Sequence, residues 1–171
     1  MPSDEVLKDI ELIVSDVDGV LTDASIVYTN DGIEIKRFNV RDGLGIKLWQ
    51  RAGFHFGVLT ARTSHIVKLR TAELGIEIVR QGFEDKLPVA KEILNSLEIA
   101  PERACYVGDD LPDLPVMRYF GVGFAVATAV KEVRDSATLV TEASGGDGAV
   151  REVIERVLRA KGRWQDLISK Y

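Results

Sequence analysis

The sequence predicts an α/β fold in which a parallel sheet is flanked by helices. Three observations carry that expectation. Short β-rich runs alternate with helical patterns from one end of the chain to the other, the order that crossover connections impose. The 171 residues, 46% hydrophobic and 29% charged, suit one globular domain. A chain of this size buries roughly 70% of its unfolded-chain surface, so it needs no disulfide staples. No internal repeat, low-complexity tract or Pro/Gly/Ser-rich linker breaks the pattern, and residues 1–171 are read as a single domain.

Taken in order, Leu12-Ile13-Val14 reads as a buried strand that ends at Ser15-Asp16. A small hairpin follows as an insertion: Ser25 to Thr29, a turn at Asn30-Asp31-Gly32, and Ile33 to Phe38. The Asp-Gly pair is its turn signal. Asp42 to Ala52 reads as a helix with Leu44, Leu48 and Trp49 on one face. Phe56-Gly57-Val58-Leu59 is the next strand and Ser64 to Leu74 the next helix. Strand Ile76 to Val79 precedes a helix from Pro88 to Leu97, proline being tolerated in a first turn. Ala104 to Val107 is a strand, and Pro112 opens a helix that runs to about Tyr119. Strand Gly123-Phe124-Ala125, helix Val130 to Asp135, strand Thr138-Leu139-Val140 and helix Ala149 to Ala160 complete the alternation. Arg163 to Tyr171 adds a last helical turn.

Composition narrows the function classes. The chain has 22 Lys+Arg against 27 Asp+Glu, a net charge of −5 without a basic patch, which argues against nucleic-acid binding. The longest apolar stretch, Gly121 to Val130, falls well short of the roughly 18 residues of a membrane span. The opening MPSDEVLKDIE is acidic and lacks an apolar core, so no secretory signal is expected and the location is read as cytoplasmic. The single Cys105 cannot form an intramolecular bridge, and one Cys with two His argues against a zinc site. Cys105 reads as a small core hydrophobe, and His55 and His65 as structural or surface residues.

In an open α/β sheet, ligands lie at the carboxyl ends of the strands, near a topological switch point. The first strand ends in Asp16-Val17-Asp18-Gly19. One carboxylate of such a pair can attack while its neighbour moves protons; a helix cap or turn acid is the competing reading. A second group, Gly108-Asp109-Asp110-Leu111-Pro112-Asp113, follows another strand. Three mutually repelling carboxylates call for a cation, and Mg²⁺ prefers oxygen ligands. Capping by Asp110 or Asp113 accounts for one of the three acids, not for all. Thr60 stands at a strand end, suited either to a phosphate oxygen or to an N-cap. Lys86 stands at a helix start, where a cation is disfavoured by the dipole unless an anion faces it. Together these residues define metal-assisted phosphoryl transfer. The Ser144-Gly145-Gly146-Asp147-Gly148 segment lacks the Lys-Ser/Thr of a Walker motif and reads as a flexible loop.

Four motifs in order resemble those of the haloacid dehalogenase (HAD) superfamily: Ile13 to Thr22, Leu59-Thr60, Lys86, and Gly108-Asp109-Asp110 with Asp113. Asp16 to Asp23, Phe38 to Ile46 and Gly145 to Glu152 are similar to its capless phosphatases acting on 3-deoxy-D-manno-octulosonate 8-phosphate (KDO 8-phosphate). The resemblance implies a Rossmann-like, HAD-like, capless sheet. It implies Asp16 as the nucleophile that becomes an aspartyl-phosphate, Asp18 as general acid and base, and Thr60 and Lys86 as phosphate holders. It implies Mg²⁺ held by Asp16, the main-chain carbonyl of Asp18 and Asp109, with Asp110 and Asp113 in support. A homotetramer is implied as well, with Ile26, Tyr28, Ile33 and Ile35 of the hairpin packed between subunits. Arg41, Arg62, Gly145, Gly146 and Arg151 are the candidate residues for binding a sugar-acid phosphate. Arg41 either grips a carboxylate in a neighbouring subunit's site or forms an interface ion pair. The sequence departs from the family pattern at Ala24 and Ala61, where many members carry Gly. Competing readings are a phosphatase for a nine-carbon keto-sugar acid 9-phosphate and a non-catalytic phospho-acceptor or regulatory domain.

Overall fold

The computed structural model describes residues 4–169 and residue 171. Six parallel strands form the main sheet: β1 (Leu12–Ser15), β4 (His55–Thr60), β5 (Ile78–Gln81), β6 (Ala104–Gly108), β7 (Val122–Ala125) and β8 (Leu139–Val140). Their spatial order is β5-β4-β1-β6-β7-β8. The chain winds outward from β1 through β4 to β5, then returns to the other side of β1 for β6. The switch point therefore falls between β1 and β6. Leu12, Ile13 and Val14 are fully buried, as a central parallel strand covered on both faces requires. A separate two-stranded hairpin, β2 (Val27–Tyr28) and β3 (Glu34–Ile35), follows β1.

The helices are α1 (Val40–Arg51), α2 (His65–Leu74), α3 (Lys86–Leu97), α4 (Leu114–Tyr119), α5 (Lys131–Ser136), α6 (Ala149–Ala160) and α7 (Trp164–Ile168). Asn39 caps α1 by accepting from the Arg41 amide, and Ser64 caps α2 by accepting from the Val67 amide. Gly148 precedes α6 with φ 98° and has no side chain to cap it. Asp42 of α1 supplies the missing cap: its Oδ1 accepts from the Arg151 amide at 2.8 Å. The other oxygen of this carboxylate, Oδ2, is buried without a hydrogen-bond partner. Gly45 allows the close approach this needs, since a Cβ there would lie 3.3 Å from the Arg151 Cα. No helix among the described residues is long and apolar enough to cross a membrane.

The structure shifts several expected boundaries. The fifth strand starts at Ile78 rather than Ile76, because the Ile76 amide bonds the Thr71 carbonyl and finishes the end of α2. Pro112 lies in a 3₁₀ turn (Leu111–Asp113), and the α-helix begins only at Leu114. The hairpin keeps its turn, with the Thr29 amide bonded to the Ile33 carbonyl, but its paired strands are short. Leu44 was expected to share the buried face of α1; it is 38% exposed, while Ile46, Leu48 and Trp49 are buried. With Asp42, Gly43 and Gly45 taken into the contacts with α6 and α2, Leu44 turns outward. The expected final turn appears as α7, although Lys170 and residues 1–3 lie outside the described residues.

Candidate active site

Asp16 follows β1 and Asp109 follows β6, so adjacent strands bring the two acids to one end of the sheet. The Asp16 amide donates to the Val107 carbonyl at 3.0 Å, which fixes this register. Lys86 opens α3 and is buried; its Nζ lies 2.8 Å from Asp16 Oδ2 and 2.7 Å from Asp113 Oδ1. These carboxylates are the anions that a lysine at a helix start demands. Burial would lower the Lys86 pKa, but Asp16 and Asp113 outweigh it and raise it, keeping the ammonium charged.

Asp113 is fully buried and fully used. Its Oδ1 accepts from Lys86 Nζ and from the Tyr106 hydroxyl at 2.8 Å. Its Oδ2 accepts from the amides of Asp109 at 2.9 Å and Asp110 at 3.2 Å. Asp110 is exposed and caps the 3₁₀ turn through the Leu111 amide, the two acids forming a reciprocal capping box. Capping thus employs both Asp110 and Asp113.

Asp16, Asp109 and Asp113 each offer an oxygen within 4.8 Å of the others. Asp109 Oδ1 is buried without a hydrogen-bond partner. Burial, then Asp113, Asp16 and Asp110, push the Asp109 carboxyl up to about 8. Burial and Asp113 push Asp16 up to about 6 against the opposing pull of Lys86. An orphaned carboxylate oxygen in an all-oxygen cluster fits a hard divalent cation. Asp113 is saturated, Asp16 makes one contact at each oxygen (the Val17 amide at 2.6 Å and Lys86 at 2.8 Å), and Asp109 keeps an oxygen with none. Asp16 and Asp109 are therefore the acids with lone pairs left for such a cation. Gly19 makes room for them, because a Cβ there would lie 1.9 Å from Asp109 Oδ2.

The rim is assembled from loops. Thr60 ends β4, buried, and its hydroxyl accepts weakly from the Arg62 amide at 3.4 Å. Asp18 turns away from the floor and pairs with Lys36 of the hairpin, with Arg62 Nε 3.8 Å from its other oxygen. Arg62 also donates to Glu34 at 3.0 Å and to the Tyr28 hydroxyl at 3.2 Å, and Ser64 Oγ bonds the second oxygen of Glu34 at 2.5 Å. Lys36 and Glu34 were not singled out in the sequence. Their signal was the alternation Ile33-Glu34-Ile35-Lys36: the isoleucines are 60% and 48% exposed while the Lys36 side chain is 1% exposed. The hairpin turns its charged face inward and its apolar face outward.

The Ser144 to Gly148 segment, expected to be flexible, is pinned to the turn after β1. The Gly146 amide donates to the Val20 carbonyl at 2.9 Å, and a Cβ at Gly145 would lie 1.7 Å from the Gly19 carbonyl oxygen. Arg41 and Arg151 line a separate open groove of about 700 Å³ beside α6, together with Asp147 and Gly148. Arg151 there bonds Glu155 at 2.7 Å and stacks on Trp164. Ala24 has φ 66°, a left-handed conformation at the position where the resemblance expects Gly.

A buried Asp pair at the switch point, a lysine bridging it, and an orphaned oxygen facing the same space define a phosphoryl-transfer hydrolase. The chain belongs to the haloacid dehalogenase-like hydrolase family, which matches residues 57–154. Over 156 residues it is 44% identical to the 3-deoxy-D-manno-octulosonate 8-phosphate phosphatase KdsC of Escherichia coli (strain K12), covering 91% of this chain and 83% of that protein. Its structure is similar to that of the 3-deoxy-D-manno-octulosonate 8-phosphate phosphatase from Moraxella catarrhalis in complex with magnesium ion, phosphate ion and KDO. The TM-score is 0.96 at 38% identity, covering 98% of this chain and 96% of that one. A probable YrbI family phosphatase from Pseudomonas syringae pv. phaseolica 1448A gives a TM-score of 0.96 at 45% identity, over 99% and 98% of the two chains.

Proposed function

We propose that this protein is a Mg²⁺-dependent phosphomonoesterase that hydrolyses KDO 8-phosphate through an aspartyl-phosphate. The observation that carries the reading is the buried Asp16–Lys86–Asp113 bridge beside the unpartnered Asp109 oxygen, in a chain 44% identical to a phosphatase of that substrate. Asp16 attacks phosphorus, the ester P–O bond breaks, and Asp18 gives its proton to the departing alkoxide. Asp18 then takes a proton from water as that water attacks the acyl phosphate, which releases inorganic phosphate and restores Asp16. Lys86 and the Thr60 hydroxyl hold phosphoryl oxygens, and Asp113 keeps Lys86 aimed at them. Asp16, Asp109 and the Asp18 carbonyl would hold Mg²⁺, which when bound would supply positive charge to offset that of the phosphoryl group and the carboxylates. Asp110 supports that shell by capping the turn that carries Asp113.

The inside-out hairpin supports self-association: Ile26, Tyr28, Ile33 and Ile35 are each about half exposed or more, and a two-stranded hairpin is marginal in water by itself. We infer a cytoplasmic homotetramer in which this apolar face is covered by other copies. In it, Arg41, Arg151 and the Gly145-Gly146 loop, with Arg62 from the rim, select a sugar-acid phosphate. Comparing kcat/KM across sugar-acid phosphates, with Mg²⁺ and with EDTA, tests the reading. KDO 8-phosphate should rank first and EDTA should abolish turnover; a higher kcat/KM for a nine-carbon acid 9-phosphate would move the assignment to that substrate.

A further inference from the structure

Lys36 carries a buried ammonium that the reaction as described does not use. Its side chain is 1% exposed, its Nζ bonds Asp18 Oδ1, and Glu34 lies 3.4 Å away on the other side. Burying an ammonium costs far more than burying an aliphatic chain unless its partners are in place. Those partners are fixed in turn: Glu34 is gripped by Arg62 and Ser64, both from the loop after β4. Asp18 therefore stands between a cation from the hairpin and a cation from the β4–α2 connection. Its side chain is 20% exposed, and the contacts that hold its carboxylate are these two cations.

We propose that Lys36 is the positioning residue of Asp18: the hairpin supplies, from within the core domain, the contact that holds the acid/base carboxylate over the leaving oxygen. The proposal rests on the acid/base reading of Asp18. Proton transfer requires a heavy-atom approach of about 2.6–3.2 Å, which a rotating carboxylate seldom meets. Lys36 touches neither phosphate nor metal in this scheme and acts only through Asp18.

The ester dependence of kcat/KM tests this. That parameter covers the steps up to departure of the alcohol, where an alkyl leaving group needs a proton and p-nitrophenolate does not. In Lys36→Met, kcat/KM should fall about 10- to 100-fold on KDO 8-phosphate and on ribose 5-phosphate, and about 3-fold or less on p-nitrophenyl phosphate. Lys36→Arg should restore most of the loss. In an Asp18→Asn background, Lys36→Met should add less than about a 2-fold loss, because the group it positions is gone. Equal losses on all three esters would make Lys36 a support of the fold. A loss confined to KDO 8-phosphate would make it a receptor for the carboxylate. An undiminished loss in the Asp18→Asn background would also overturn the proposal. If Asp18→Asn alone leaves the alkyl esters unaffected, the acid/base reading itself falls, and the proposal with it. Thermal melts verify that each variant is folded, and Lys36→Gln replaces Lys36→Met if the latter is not.

Discussion

Asp16 lies on the floor of the site, buried against the sheet and Lys86, whereas Asp18, two residues later, reaches a rim built by the hairpin and the β4–α2 loop. The floor is held by parallel register, by α3 and by the saturated Asp113. The rim is held by side chains from distant parts of the sequence, Lys36 and Arg62 both meeting Asp18, and Arg62 also meeting Glu34. In the proposed reaction the difference would separate two tasks: the floor would hold the phosphoryl group, and the rim would orient the group that leaves it. Damage to the floor should remove chemistry altogether, while damage to the rim should change its selectivity.

The largest effect is expected on the floor. Asp16→Asn should lower phosphate release by about 1,000-fold or more on every ester, because an amide is a poor nucleophile; near-normal turnover of folded protein would break the comparison. At the periphery, Arg41→Ala should lower kcat/KM about 10- to 100-fold on a sugar-acid phosphate, with much less change on p-nitrophenyl phosphate, through loss of a charge-assisted contact to a carboxylate. Equal losses on both would assign Arg41 to the phosphate or the fold. Asp109→Ala should weaken Mg²⁺ binding about 10-fold or more by calorimetry, since it removes the orphaned oxygen; an unchanged isotherm would take Asp109 out of the metal site.

Two smaller effects sharpen the contrast in stability. Burial pushes the Asp42 carboxyl up to about 6 from 3.8. The folded protein then holds this proton more tightly than the unfolded chain does, so stability falls as pH rises from about 4 to about 6, by roughly 2–3 kcal/mol at most. Asp42→Asn should lose that part of the slope in denaturant titrations across this window; an unchanged slope would refute the assignment. Ala24→Gly should stabilise the chain by about 0.5–1 kcal/mol, relieving the left-handed backbone between the β1 turn and the hairpin. A loss of stability would mean that the Ala24 methyl packs usefully.

The same contrast explains what the sequence disclosed. Strands and floor acids were legible because each signal is local: an apolar run, then Asp, at the end where a parallel sheet exposes its ligands. Lys86 was legible as a cation placed against a helix dipole. Tyr106 was not, since a tyrosine in a buried strand shows its hydroxyl role only once Asp113 is folded over it. Lys36 and Glu34 were hidden because the hairpin inverts the usual rule, and its isoleucines drew attention to the face that turns away from the site. Arg41 and Arg151, read as wall residues, line a groove that shares no residue with the floor of this chain.

The cap that Asp42 lends to α6 couples the stability of two helices far apart in sequence. The helix from Ala149 begins behind a glycine, so its first amides wait for an acceptor 109 residues earlier in the chain. Closing so long a loop is entropically costly, although the cost grows only slowly with length. Through this shared contact, α6 should exchange its amide protons as one unit with α1 rather than as an independent helix. A single carboxylate thus couples α1 to a helix 109 residues further along the chain.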